Sequence, residues 1–215
     1  MSKSKMIKQA NRYSSRALGV GLAVLFAALI SGCSSLTKSD SPAISNWWLK
    51  PLQGGGAGAQ QNSTADKPTK VLLIVSVVPG LDTANILNLS PDAQLSHYSG
   101  ARWADEVPEL MTSLVARSLE ANGNFQVVSR RDSRDLDRCI LRLDLSAFYA
   151  ELNRSGSTED VHIAYTGEYR CDGEADRPLE FDSRTPVNAD KMSSIVASYQ
   201  TGLNAAIEQL LQQIQ

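Results

Sequence analysis

The sequence predicts an α+β fold: a single α/β sandwich domain, with a mixed, largely antiparallel sheet packed by two helices. Three observations carry that prediction. Apolar residues recur at helical spacing over about 105–122 and again over 190–214. Two stretches, one from Leu141 to Tyr149 and one from Val161 to Tyr169, alternate apolar and polar residues across a short polar segment. Ahead of all of these, Val71 to Val78 is a continuous run rich in β-branched residues.

That run, closed by Pro79-Gly80, reads as a strand buried on both faces. Residues 81–105 read as loop and short extended pieces. In the first helix Asp105 is the expected N-cap, Pro108 fits the first turn and Gly123 the C-terminal stop. Val107, Leu110, Met111, Leu114, Val115 and Leu119 fall on one face of it. Phe125–Val128 is a strand, and whether it pairs with the first strand stays open at this point. Arg130 to Arg138 mixes charges of both signs and reads as a solvated turn, with a binding patch as the alternative.

The next two strands form a hairpin around Asn153–Glu159, where Gly156 sits. Leu141, Leu143, Leu145, Ala147 and Tyr149 are placed on the core face of one, and Val161, Ile163, Tyr165, Gly167 and Tyr169 on the core face of the other. Both sets are odd-numbered, so opposed residues have an even sum. Cys139 and Cys171 satisfy that register about a loop centred on Ser155. Directly opposed residues have Cα atoms ~4.5–5.5 Å apart, within bridging range. A Cys139–Cys171 disulfide is therefore expected, with two buried free thiols as the alternative. Leu179–Asp182 is a further short strand. The last element is a long helix whose stripe, Met192, Ile195, Val196, Tyr199, Leu203, Ala206, Ile207, Leu210, Leu211 and Ile214, faces the core rather than a coiled-coil partner.

Composition sets the outer bounds. The chain has 215 residues, 42% hydrophobic and 20% charged, which suits one domain with appendages and excludes a wholly disordered chain. A net charge of -2 argues against a nucleic-acid binder. That figure hides an asymmetry. Residues 1–32 hold five positive side chains, Lys3, Lys5, Lys8, Arg12 and Arg16, and no acid, so the remainder carries -7.

The five cations precede an apolar run from Ala17 to Ile30, too short to span a bilayer as a helix but suited to a secretory signal. Ile30-Ser31-Gly32-Cys33 resembles the lipobox of bacterial lipoproteins. The resemblance implies that residues 1–32 are a signal peptide and that Cys33 becomes an acylated N-terminus, anchored by two or three chains. Ser34 and Ser35 follow rather than Asp, which favours the outer membrane, periplasmic face.

Residues 33–70 are a flexible linker by composition. Gly54–Gly58 is no phosphate loop, because no Gly-Lys-Ser/Thr follows. Within it, Asn46-Trp47-Trp48-Leu49-Lys50-Pro51 is an aromatic island. A short strand docking on the domain is favoured for it, with a membrane- or partner-contacting aromatic pair as the alternative. The folded domain is expected over 71–215.

No enzyme constellation is present. The two histidines, His97 and His162, stand in unrelated contexts, and no His-x-x-x-His, Cys-x-x-Cys or Gly-x-Ser-x-Gly occurs. Neither a metal nor a cofactor is expected.

Pro79-Gly80-Leu81-Asp82-Thr83, then His97-Tyr98-Ser99-Gly100-Ala101-Arg102-Trp103-Ala104-Asp105 and Pro108-Glu109-Leu110, resemble the ABC-type transport auxiliary lipoproteins, the PqiC-like family. Trp47 to Pro51 resembles that family's opening strand. The cysteine pair and the long linker depart from the pattern. The resemblance implies a non-catalytic lipoprotein beside an ABC transporter and a mammalian-cell-entry (MCE) protein that moves lipids. Tyr98, Arg102 and Trp103 are its candidate partner-binding residues, and Trp103 and Asp105 also have a structural reading as core anchor and helix cap. A module that itself carries a lipid or hydrophobic ligand, and a structural envelope-assembly lipoprotein, are the alternatives. Self-association stays open.

Overall fold

The computed structural model describes residues 43–53, 67–129 and 138–215. The signal peptide, Cys33, the Gly54–Gly58 run and Arg130–Asp137 lie outside the described residues. In chain order the elements are β1 (Ser45–Trp47), β2 (Thr69–Val77), a 3-10 turn (Pro79–Leu81), β3 (Asn85–Leu89), β4 (Leu95–Trp103), α1 (Val107–Asn122), β5 (Phe125–Val128), β6 (Cys139–Leu152), β7 (Thr158–Arg170), β8 (Arg177–Pro186) and α2 (Met192–Ile214).

All eight strands join one mixed sheet with β6 as its spine. Along one edge β6 pairs antiparallel with β7, and β7 with β8. Along the other edge its first half runs parallel to β2 and its second half parallel to β3. The sheet therefore forks: β5 extends the β2 branch, while β4 and then β1 extend the β3 branch. The β2–β5 pairing, open from sequence, is parallel, with Thr69 opposite Phe125. The longest ladders, β6–β7 and β7–β8, are antiparallel.

Both helices cover one face of this sheet, α1 over β2 and β5, α2 over β7 and β8. The apolar face read for α1 is buried throughout, from Val107 to Leu119. Asp105 is not the cap: the helix starts one residue later, with Glu106 at the N-cap position, and the Asp105 carboxylate accepts only the Glu106 N–H. Pro108 lies in the first turn, and Gly123 ends the helix at φ 83°, where a side chain would be strained. Eight of the ten stripe positions of α2 are buried, with Met192 and Leu211 packed at the margin.

The hairpin holds a register surprise. From Ile140↔Arg170 to Leu145↔Tyr165 the opposed numbers have the expected even sum. A bulge at Ser146 then shifts the pairing, so that Phe148 faces Ile163 and Tyr149 faces His162. The extra residue reverses the alternation beyond it. Phe148, not Tyr149, turns into the core, and Tyr149 moves to the open face. Cys139 and Cys171 sit one step beyond the unshifted end of the ladder and form a disulfide, with Cα atoms 4.1 Å apart.

Three other expectations are revised. Residues 81–105 contain two full strands, hidden because β4 bulges between His97 and Arg102, around Gly100 at φ 72°. Burial of β2 on both faces holds only at Val71 and Leu72, since among the described residues no helix lies over one of its faces. The terminal strand runs from Arg177 to Pro186, longer than the short apolar run suggests, because β7 supplies a ladder along its whole length.

Candidate interaction surface

The signature segment lies along β4 and its turn into α1, and its residues divide sharply. Trp103 is 1% exposed. Its ring meets Tyr199 edge-on at 4.9 Å and Phe148 at 5.7 Å, so β4, β6 and α2 are joined by three interlocked aromatics. A partner cannot reach it; the core reading replaces the partner-binding one. Tyr98 is half-buried and committed. Thr158 donates its hydroxyl hydrogen to Asp190 at 2.9 Å, which leaves its oxygen to accept from the Tyr98 hydroxyl at 2.7 Å. This relay ties β4 to the start of β7 and to the lead-in of α2. Burial raises the Tyr98 pKa, with the Thr158 bond working against it and Asp190 with it. Arg102 is the exposed member, and its Nε donates to the Asn46 side-chain oxygen at 2.9 Å.

Asn46 belongs to the aromatic island, which does dock. β1 adds in parallel to the edge of β4, with Trp47 opposite Trp103. The chain then straps the helices. Leu49 is buried. Lys50 exchanges two hydrogen bonds with the Gln200 amide on α2, at 2.8 and 2.9 Å. The Leu52 N–H donates to Ser118 Oγ on α1 at 2.9 Å. Residues 43–53 thus belong to the same unit as the sheet. The adjacent tryptophans part company: Trp47 packs on the core, while Trp48 is 60% exposed.

The sheet face away from the helices carries a cluster that the sequence reading missed. His162 Nε2 lies 2.9 Å from Asp182, and its Nδ1 lies 3.2 Å from Glu151. Arg184 grips Glu151 with two bonds, at 2.9 and 3.1 Å, and Tyr149 stands edge-on to the imidazole. Even-numbered His162, Asp182 and Arg184 meet odd-numbered Tyr149 and Glu151 only because the Ser146 bulge reverses the phase. Every carboxylate and cation here already has a partner, which marks a closed electrostatic lattice on a partly wet sheet. Among the described residues no group of three or more His, Cys, Asp and Glu is placed to hold a metal.

Between helices and sheet, Val75, Met111, Leu143, Tyr165, Leu203 and Ile207 line an apolar cavity of about 10 Å³. That is about the room of one water, far below the ~300–1,000 Å³ of ligand sites. A wider concavity of about 510 Å³ opens between the Ser90–Asp92 turn and the Asn153–Gly156 turn, and it is polar and open to solvent.

A family model described as the ABC-type transport auxiliary lipoprotein component matches residues 52–214. The chain belongs to this family. The auxiliary-lipoprotein domain therefore includes the signature segment, both helices and the hairpin, while Trp47–Pro51 falls just before the matched residues. Among solved structures, a DUF330-family protein from Xanthomonas campestris is 16% identical, with a TM-score of 0.62, over 78% of this chain and 92% of that one. An uncharacterized protein of known structure is 15% identical, with a TM-score of 0.60, over 80% of this chain and 99% of that one. At such identities these establish a shared fold. No curated protein matches. Among the described residues no helix is long and apolar enough to cross a membrane.

Proposed function

We propose that this auxiliary lipoprotein is non-catalytic, anchored through acylated Cys33 to the periplasmic face of the outer membrane, and docks the MCE protein of an ABC-type lipid transport system. Family membership supports the transport role, and the lipobox supports the anchor. The observation that favours docking over carrying is the packed helix–sheet interface. Its cavity of about 10 Å³ does not admit an acyl chain. A carrier needs a hollow between sheet and helices, and here Trp103, Phe148 and Tyr199 fill that space at one end and Tyr165 spans it at the other, its hydroxyl bonded to the Ala206 carbonyl.

The test is co-purification with the MCE protein after mild crosslinking. Recovery of the pair supports the adaptor reading, and failure to recover it counts against it. Native mass spectrometry of the lipoprotein alone discriminates the carrier reading, which requires a retained lipid. Globomycin-sensitive processing and membrane fractionation test the anchor and its membrane.

A further inference from the structure

The N-terminal strap presents side chains that the fold does not use. Ile44 and Trp48 are 59% and 60% exposed. They flank β1, and with Asn46 they alternate with the inward-facing Trp47, so all three lie on one side of the edge strand. Asn46 holds the Arg102 guanidinium on that side, and Lys50 follows, its backbone pinned to Gln200. Neither cation is paired with a carboxylate among the described residues.

We infer that Ile44 and Trp48, with Lys50 and Arg102, form a second contact with the lipid bilayer beside the anchor. Two apolar side chains, one of them an amphipathic indole, next to two cations match the chemistry of the membrane interface. The indole sits at headgroup level, and the cations meet lipid phosphates. Chain geometry selects the bilayer over other occupants. Ile44 follows Cys33 by eleven residues. Even fully extended, that length reaches only ~36–40 Å. The bilayer is thus present at high effective concentration, whatever path the chain takes. Acyl chains hold the protein at the membrane but leave its orientation free, and a protein contact of this kind fixes it.

The inference rests on Cys33 as the anchor, and the experiment separates the two. The purified lipidated chain is placed in phosphatidylethanolamine–phosphatidylglycerol vesicles, with and without bromine-labelled acyl chains. Tryptophan emission is compared between wild type and Trp48→Phe, with circular dichroism confirming that the exposed substitution leaves the fold intact. Wild type should lose up to about a third of its emission to the brominated lipid, one tryptophan of three. Trp48→Phe should lose almost none, while both proteins float with the vesicles. Flotation without quenching, or equal quenching in both, overturns the inference and leaves the anchor standing. Failure to float overturns the anchor and the inference with it. A Trp48 emission shift that depends on protein concentration without brominated lipid assigns the patch to a second copy of the chain, and overturns the inference as well.

Discussion

Replacing both cysteines of the Cys139–Cys171 bridge by alanine tests the hairpin register and its energetic weight together. The bridge joins residues 32 apart in sequence. On the chain-entropy relation a loop of that size stabilises the fold by about 4 kcal/mol, by restricting the unfolded chain rather than by adding native contacts. The native hairpin keeps its twelve-pair ladder without the bridge, so the fold should survive. A domain of this class has ~5–15 kcal/mol in total, so the loss is a large share. The assay is equilibrium urea unfolding of the mature chain carrying Cys33→Ser, followed by tryptophan fluorescence. The midpoint should fall by roughly 1.3–4 M at ~1–3 kcal/mol per M. The slope should rise, because an uncrosslinked denatured chain exposes more surface. A midpoint change below about 0.5 M would refute the loop-entropy account. Labelling of both thiols in denatured, unreduced wild type would refute the bridge itself.

Three further outcomes follow from particular contacts. Phe148→Ala should cost ~3–5 kcal/mol by urea unfolding, as for other buried aromatics, and Tyr149→Ala nearer ~1; the reverse order would deny the Ser146 bulge. Gly167→Ala should destabilise by ~1–3 kcal/mol, because a Cβ there overlaps the Arg142 carbonyl oxygen of the neighbouring strand; an unchanged midpoint would mean that β6 and β7 do not approach as described. Stability should also fall in alkali. Burial holds the Tyr199 and Tyr165 phenols above the ordinary value of 10.0. The unfolded chain therefore releases protons that the native one keeps, so the stabilisation is full below that pH and is lost as pH rises beyond it. Absorbance at 295 nm should show these two phenols ionising together with unfolding, and a gradual titration of all tyrosines in intact protein would contradict this.

Much of the fold is local, and local patterns are readable. Both helices announce themselves because a buried stripe must recur every three to four residues. Val107 to Leu119 and Ile195 to Ile214 do so without interruption. The hairpin and its disulfide were readable because period-two alternation and a central loop fix one register at the cysteine end. β3 and β4 were not, since a strand that bulges at Gly100 breaks its own alternation. The same limit hid the His162 cluster. Nothing in the chemistry of Leu145-Ser146-Ala147 says that a residue will be looped out; the need to place Phe148 against Trp103 and Tyr199 does.

The sequence by itself determined the two helical stripes, the cysteine register and the family signature, because each rests on residues near one another in the chain or on a single repeating period. Only the tertiary structure decided what the signature residues do. Trp103 went into the core, Tyr98 into a relay with Thr158 and Asp190, and Arg102 to the surface beside Asn46. Tyr98, Arg102 and Trp103 lie within six positions of one another. Their fates diverge because partners from β1, β6, β7 and α2, up to a hundred residues away, compete for each side chain, and that competition has no period to read.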